Sequence, residues 1–220
     1  MGDLSNVAIC MPVAPTGSVH VDTARFVTHC VGRGAEWLTV TAPYIHANRE
    51  ALVRMALETG RPFIFWLDSD VVPPPDAIDR LLSHGRDIVG AVYPCLVGLA
   101  NERQRLFWLV QRPGQGDWLP WGDLRAGLFE ATVVGTGAVL MRADVFGRVP
   151  GPWFDVPPGG RNPTCVAESE DVHVCRLLRE AGFSIWYDGS VVCDHVKLAS
   201  IGQIYAAARD ERFLVTTGRR

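Results

Sequence analysis

Two aspartates separated by one serine, Asp68-Ser69-Asp70, close the apolar run Phe63-Ile64-Phe65-Trp66-Leu67. Carboxylates are hard oxygen ligands, and a pair of them suits a divalent cation that carries a phosphate-bearing substrate. In an extended backbone residues i and i+2 point the same way, so both carboxylates can face one ion. With 15 aspartates in 220 residues, roughly one such triplet arises by chance, and its context must carry the meaning. The competing role is a polar turn that caps the following helix through Asp70 or Asp76.

A second acidic pair stands in Ser169-Glu170-Asp171. Serine as N-cap with acids in the first turn complements a helix dipole. Yet Val174, Cys175, Leu177, Leu178 and Ala181 form the apolar stripe of that helix, and Glu170 and Asp171 fall within its angular range. Carboxylates directed inward need a partner or a task, and taking the proton of a hydroxyl nucleophile is such a task. His195 ends a strand and is either a ligand or a structural ring. Gly135-Thr136-Gly137 is either a hairpin turn or a place where backbone approaches a bound substrate closely. Trp118, Trp121 and Trp153 can stack on a sugar or pack against protein. Asn48 and Arg49 open a helix, where the arginine meets phosphate or solvent.

The elements that must position these residues follow from periodicity. Strands are expected at Val7–Met11, Trp37–Thr41, Phe63–Leu67 and Ile88–Tyr93. Helices are expected at 22–31, 47–59 and 76–83, with Gly32 and Gly60 as stops. This alternation predicts an α/β fold with a mostly parallel central sheet and helices on both faces. Beyond residue 97 the pattern changes. Leu106–Val110, Trp118–Trp121, Phe129–Val134 and Ala138–Met141 read as a small antiparallel layer, followed by a short helix over 142–147. Residues 150–167 are rich in proline and glycine and read as a mobile loop. A helix over 170–181 ends at Gly182. Ser184–Tyr187 and Ser190–Cys193 read as two strands around an Asp188-Gly189 turn. A last helix is expected over 201–209, then a tail.

The totals set limits. The chain is 48% hydrophobic and 20% charged, which excludes a disordered polymer, and 220 residues suit a single α/β domain. A net charge of -3 provides no broad footprint for nucleic acid. Six scattered cysteines without a CxxC pair suit reduced core thiols in a cytoplasmic protein. No secretory leader is expected, and no apolar stretch approaches the roughly 20 residues of a membrane span.

Taken in order, the chain shows an acidic pair after an apolar strand, a Gly-x-Gly loop, an acidic helix start and a strand ending in histidine. This order resembles the GT-A glycosyltransferases, most closely the family-2-like bacterial and viral members. Asp68-Ser69-Asp70 stands at the DxD motif, Gly135-Thr136-Gly137 at the G-loop, Ser169-Glu170-Asp171 at the xED motif, and His195 at the C-terminal histidine. The likeness runs from about Val7 to His195, with Val97–Arg125 largely outside it. It implies one GT-A (Rossmann-like) domain over 1–220. Residues 1–96 would form the nucleotide-sugar-binding half, 97–198 the acceptor half, and 199–220 a terminal helix and tail.

The resemblance further implies a nucleotide-sugar donor, foremost a UDP-sugar, and Mn2+ or Mg2+ as cofactor. Pro12, Arg49, Asp68, Ser69 and Asp70 would bind the donor. Asp70 and His195, with Asp68, would hold the metal, while Gly135, Thr136, Gly137 and Trp153 would shape the place where donor and acceptor meet. In an inverting enzyme Asp171 is the base, with Glu170 beside it; a retaining enzyme needs no such base. The acceptor hydroxyl would belong to a saccharide, a small metabolite or a modified nucleobase in DNA. Two alternatives share the acidic pair: a metal-dependent nucleotidyltransferase, disfavoured by the lack of a Gly-rich, Lys-containing phosphate loop, and a catalytically silent nucleotide-sugar-binding domain.

Overall fold

The computed structural model describes residues 2–97, 105–157 and 168–197. In chain order its strands are β1 (Val7–Val13), β2 (Glu36–Thr41), β3 (Phe63–Leu67), β4 (Val71–Val72), β5 (Ile88–Val92), β6 (Pro94–Val97), β7 (Arg105–Trp108), β8 (Val110–Gln111), β9 (Leu119–Pro120), β10 (Leu128–Ala131), β11 (Val133–Val134), β12 (Ala138–Arg142), β13 (Ile185–Val192) and β14 (Asp194–His195). The α-helices are α1 (Val21–Val31), α2 (Ile45–Glu58), α3 (Ala77–Ser83), α4 (Val145–Arg148) and α5 (Glu170–Glu180).

The central sheet has the order β10-β13-β5-β12-β3-β1-β2. Strands β1, β2, β3, β5 and β13 run one way, and β12 and β10 run against them. Both faces are covered, which is why the inner strands read as unbroken apolar runs. Along β3, Ile64 and Trp66 join one core with Leu52, Val53 and Ala56 of α2 and Val174, Cys175 and Leu178 of α5. Phe65 and Leu67 join the other core, with Phe26, Val27 and Cys30 of α1 and Ile78 and Leu81 of α3. The period of two thus sends alternate side chains of one strand into two cores. Each such buried side chain contributes on the order of 2 kcal/mol through lost apolar surface.

Two expectations are corrected. Ala138–Met141 was expected in the antiparallel layer. It is instead β12, wholly buried along Ala138–Met141 and inserted antiparallel between β3 and β5 in the main sheet. The layer that remains is a sheet of β6, β7 and β9 with a separate β8–β11 pair. Its rings pack on one another: Trp108 on Trp121 at 4.3 Å and Phe107 on Trp118 at 5.9 Å between centroids.

The expected turn at Asp188-Gly189 does not form, and one strand, β13, runs through it. Asp188 is buried, and its carboxylate lies 2.9 Å from His84 Nε2 and accepts from Ser190 N at 2.8 Å. The Gly189 amide donates to the Gly127 carbonyl at 2.9 Å. A Cβ at Gly189 would fall on the Arg125 carbonyl oxygen. Distant partners satisfy the groups that a local turn would otherwise use, and a register shift in the pairing with β5 marks the place. The expected helix over 201–209, and residues 158–167 of the expected loop, lie outside the described residues.

Candidate active site

The parallel strands all deliver their carboxyl ends to one rim, where open α/β sheets place their ligands. Val13, Leu67 and Val92 end their strands there, and the antiparallel β12 begins there at Ala138. Asn48 of α2 ties this rim together, its side-chain amide donating to Val13 O at 3.3 Å and Ala42 O at 3.1 Å. Pro12 is buried inside β1, opposite Val40.

Beyond Leu67 the backbone does not stay extended. Asp68 N donates to Gly137 O at 3.0 Å, and Val71 N folds back to Asp68 O at 3.2 Å, so Asp68–Val71 is a tight turn. His20 N bonds Ser69 O at 2.8 Å and the Thr23 hydroxyl bonds Val71 O at 2.8 Å, which anchors the turn to the start of α1. The extended backbone expected to aim both carboxylates the same way is therefore corrected to a turn. The turn sends Asp68 inward and Asp70 outward, to different partners.

Asp68 meets Arg49. This arginine is 1% exposed; its Nη2 donates to Asp68 Oδ1 at 2.8 Å and its Nη1 to the Thr136 carbonyl at 3.2 Å. Its Nε lies 3.9 Å from Glu170 Oε1 and lacks a hydrogen-bond partner. The guanidinium also sits 5.9 Å from the Trp66 ring and 5.7 Å from the Phe154 ring. Arg49 is thus a buried strut beneath the rim, and the expected direct contact with donor phosphate is replaced by contacts within the protein.

Asp171 points inward from the first turn of α5. Its Oδ1 accepts from Thr136 N at 3.2 Å and from the Thr136 hydroxyl. Ser169 occupies the N-cap position but makes no side-chain cap bond. Burial pushes the Asp171 carboxyl up to about 6; Arg49 opposes this, the Glu170 charge adds to it, and the Thr136 bond opposes it again. A carboxylate in that range is suited to exchange a proton near neutral pH.

The glycines of the connecting loop answer to close approach. A Cβ on Gly137 would lie 2.6 Å from Asp68 Oδ2 and 2.7 Å from the Tyr93 oxygen, and one on Gly135 would strike that same phenol. Gly137 N donates to the Tyr93 oxygen at 2.9 Å. Tyr93 in turn packs edge-on against His195, with ring centroids 5.3 Å apart.

His195 is placed by β14, which pairs with β4 directly after the Asp68–Val71 turn. Its Nδ1 lies 2.7 Å from the Pro94 carbonyl, which can only accept, so Nδ1 carries the hydrogen. In a neutral ring this leaves the Nε2 lone pair facing Asp70 Oδ1 at 3.6 Å. The other Asp70 oxygen, Oδ2, accepts from Lys197 Nζ at 2.5 Å. Burial raises Asp70, but the His195 ring and the Lys197 ammonium beside it outweigh burial and hold the carboxyl down at about 2.

Two acceptors facing each other, with the imidazole oriented by a carbonyl behind it, suit a cation between them. The described residues gather no group of three or more metal-ligating side chains. A hard ion that takes one or two protein ligands and completes its shell with phosphate and water fits the pair Asp70 and His195. Asp68, with Oδ1 committed to Arg49, is the poorer ligand.

No family model and no curated protein matches the chain by sequence. Solved structures do. A197 from STIV superposes with a TM-score of 0.61 at 19% identity, over 87% of this chain and 86% of that one. GalNAc-T7, solved with UDP, GalNAc and Mn2+, superposes with a TM-score of 0.52 at 8% identity, over 87% of this chain and 44% of that one. The chain has a GT-A fold.

Within this GT-A fold, Asp68, Glu170, Asp171, Thr136, Gly137, Asp70 and His195 stand along one rim of the sheet. Trp153 is partly buried beside α4: its indole N–H donates to Val149 O at 2.7 Å, and its ring meets Phe146 edge-on at 5.7 Å between centroids. Two residues of the rim went unread in the sequence. Tyr93 was seen as the end of a strand, although a tyrosine at that rim has a hydroxyl to place. Lys197 had a plainer signal, because it is the only lysine in the chain. Among the described residues, no helix is long and apolar enough to cross a membrane.

Proposed function

We propose that this chain is a metal-dependent glycosyltransferase that moves a sugar from a nucleotide-sugar donor, foremost a UDP-sugar, to an acceptor hydroxyl with inversion. The observation that carries this is the placing of Asp171: an inward carboxylate, tuned toward neutral pH and linked through Thr136, Gly137 and Tyr93 to the Asp70–His195 pair. Both Thr136 donors fall on Oδ1, so Oδ2 is the oxygen left to take the proton of the acceptor hydroxyl. As that proton leaves, the acceptor oxygen attacks the anomeric carbon, and the bond to the nucleoside diphosphate breaks on the opposite face. Asp70 and His195 hold Mn2+ or Mg2+, which when bound neutralises charge on the departing diphosphate. Arg49 braces Asp68 and Glu170 from beneath the rim without touching substrate. Glu170 is the second candidate for the base. The acceptor is a saccharide, a small metabolite or a modified nucleobase in DNA.

The test is a screen of nucleotide sugars with Mn2+, read as release of nucleoside diphosphate, on the wild type and Asp171→Asn. Turnover by the wild type and its loss in the variant, with donor binding intact, are expected. Equal turnover in both removes Asp171 as base, and release of pyrophosphate from a nucleoside triphosphate instead would make the chain a nucleotidyltransferase.

A further inference from the structure

The chain carries 21 lysines and arginines, of which Lys197 is the sole lysine. It lies two residues beyond His195, and its ammonium rests on the carboxylate proposed to hold the metal. The backbone around it is fixed: Val196 N donates to Asp70 O at 2.8 Å, and β14 pairs with β4 on the other side. Its side chain is 58% exposed, against 33% for Asp70. An arginine here would grip the carboxylate with a planar fork, whereas lysine offers a compact charge on a flexible stem that lets go easily.

We propose that Lys197 is a built-in counter-cation of the Asp70–His195 pair, displaced when a divalent ion enters and then transferred to the diphosphate of the donor. The inference rests on the assignment of that pair to the metal and the donor. The contacts of Asp70 favour such an exchange. With Lys197 seated, the Asp70 charge is already balanced. Asp68, across the turn, is paired with Arg49, which also faces Glu170. A divalent ion arriving alone must therefore sit beside an ammonium, which repels it. When a nucleoside diphosphate arrives with the ion, its phosphates give the ammonium a new partner and complete the ion's shell. Metal and nucleotide then reinforce each other's binding, and by linkage the reinforcement is the same whichever is bound first. An idle metal site is thereby kept closed until the donor is present.

The experiment measures Mn2+ affinity by calorimetry, with and without UDP, for the wild type, Lys197→Met, Lys197→Arg and Asp70→Asn. Lys197→Met is expected to bind Mn2+ alone at least about fivefold tighter than the wild type. It should also lose most of the further gain that UDP brings. Lys197→Arg, which keeps the charge, should bind Mn2+ alone no tighter than the wild type. If Lys197→Met binds Mn2+ alone no tighter, the exchange is refuted. If Asp70→Asn binds Mn2+ as the wild type does, or if none of the four binds Mn2+ even with UDP, the metal assignment itself falls, and the exchange with it.

Discussion

The rim holds two acidic centres that lie side by side and are built on opposite terms. The inner one gathers Asp68, Glu170 and Asp171 around Arg49, which is 1% exposed. The outer one sets Asp70 and His195 against Lys197, which is 58% exposed. The inner cation is an arginine with two donors committed and no room to leave. Among the described residues, the outer cation is a lysine whose one ion pair is with Asp70 and whose side chain is open to solvent. A fixed charge suits a group that must stay oriented through every turnover, whereas a mobile charge suits a site whose occupant changes. The single turn at Asp68–Val71 separates the two by aiming its carboxylates apart.

Variants can break this contrast. The largest effect is expected from Asp171→Asn, which should lower turnover by roughly 10² to 10⁴ while donor binding persists, as measured by single-turnover transfer and by calorimetry. Arg49→Met follows. Removing one partner of a buried ion cluster costs about 3–5 kcal/mol, which urea unfolding will read; a loss near zero would mean that the inner centre is not built on its arginine.

The third prediction concerns pH. Asp171 must be ionised to accept a proton, so transfer should rise through an acid limb near pH 6, and any Arg49 variant that folds should move that limb upward. The same carboxyl acts on stability with the opposite sense. Because its folded value is raised above the ordinary one, its stabilising contribution is full below about pH 4 and is lost as pH rises through about 6. Asp171→Asn should therefore melt higher than the wild type above pH 7 and level with it below pH 4. The smallest effect belongs to the outer centre: an exposed ion pair is worth about 0–1 kcal/mol, so Lys197→Met should barely shift the unfolding midpoint. A shift as large as that of Arg49→Met would erase the distinction between the two centres.

The parts of the fold that local chemistry decides were legible. The run Phe63–Leu67 is bulky, apolar and flanked by proline, and β3 has those bounds. Helix α5 follows from its stripe and from Gly182 at its end. The parts decided at a distance were not. Asp188-Gly189 carries a turn signature, yet His84 and the 125–127 backbone hold it in a strand. Strand β12 looks like half of a hairpin until β3 and β5 claim both its edges. The candidate site divides in the same way. Asp70, Asp171 and His195 announce themselves by standing at the ends of elements. Arg49 changes meaning only when its partners across the sheet are known, and Lys197 meets a carboxylate 127 residues away.

The lone lysine has a practical consequence. Since every other basic side chain of the long-stemmed kind is arginine, the protein has one side-chain amine, and it stands on Asp70. Mild reductive methylation with a 13C label leaves the charge in place and puts a single side-chain signal at the rim. A nuclear resonance experiment can then follow one atom as nucleotides are added, and the site becomes its own reporter.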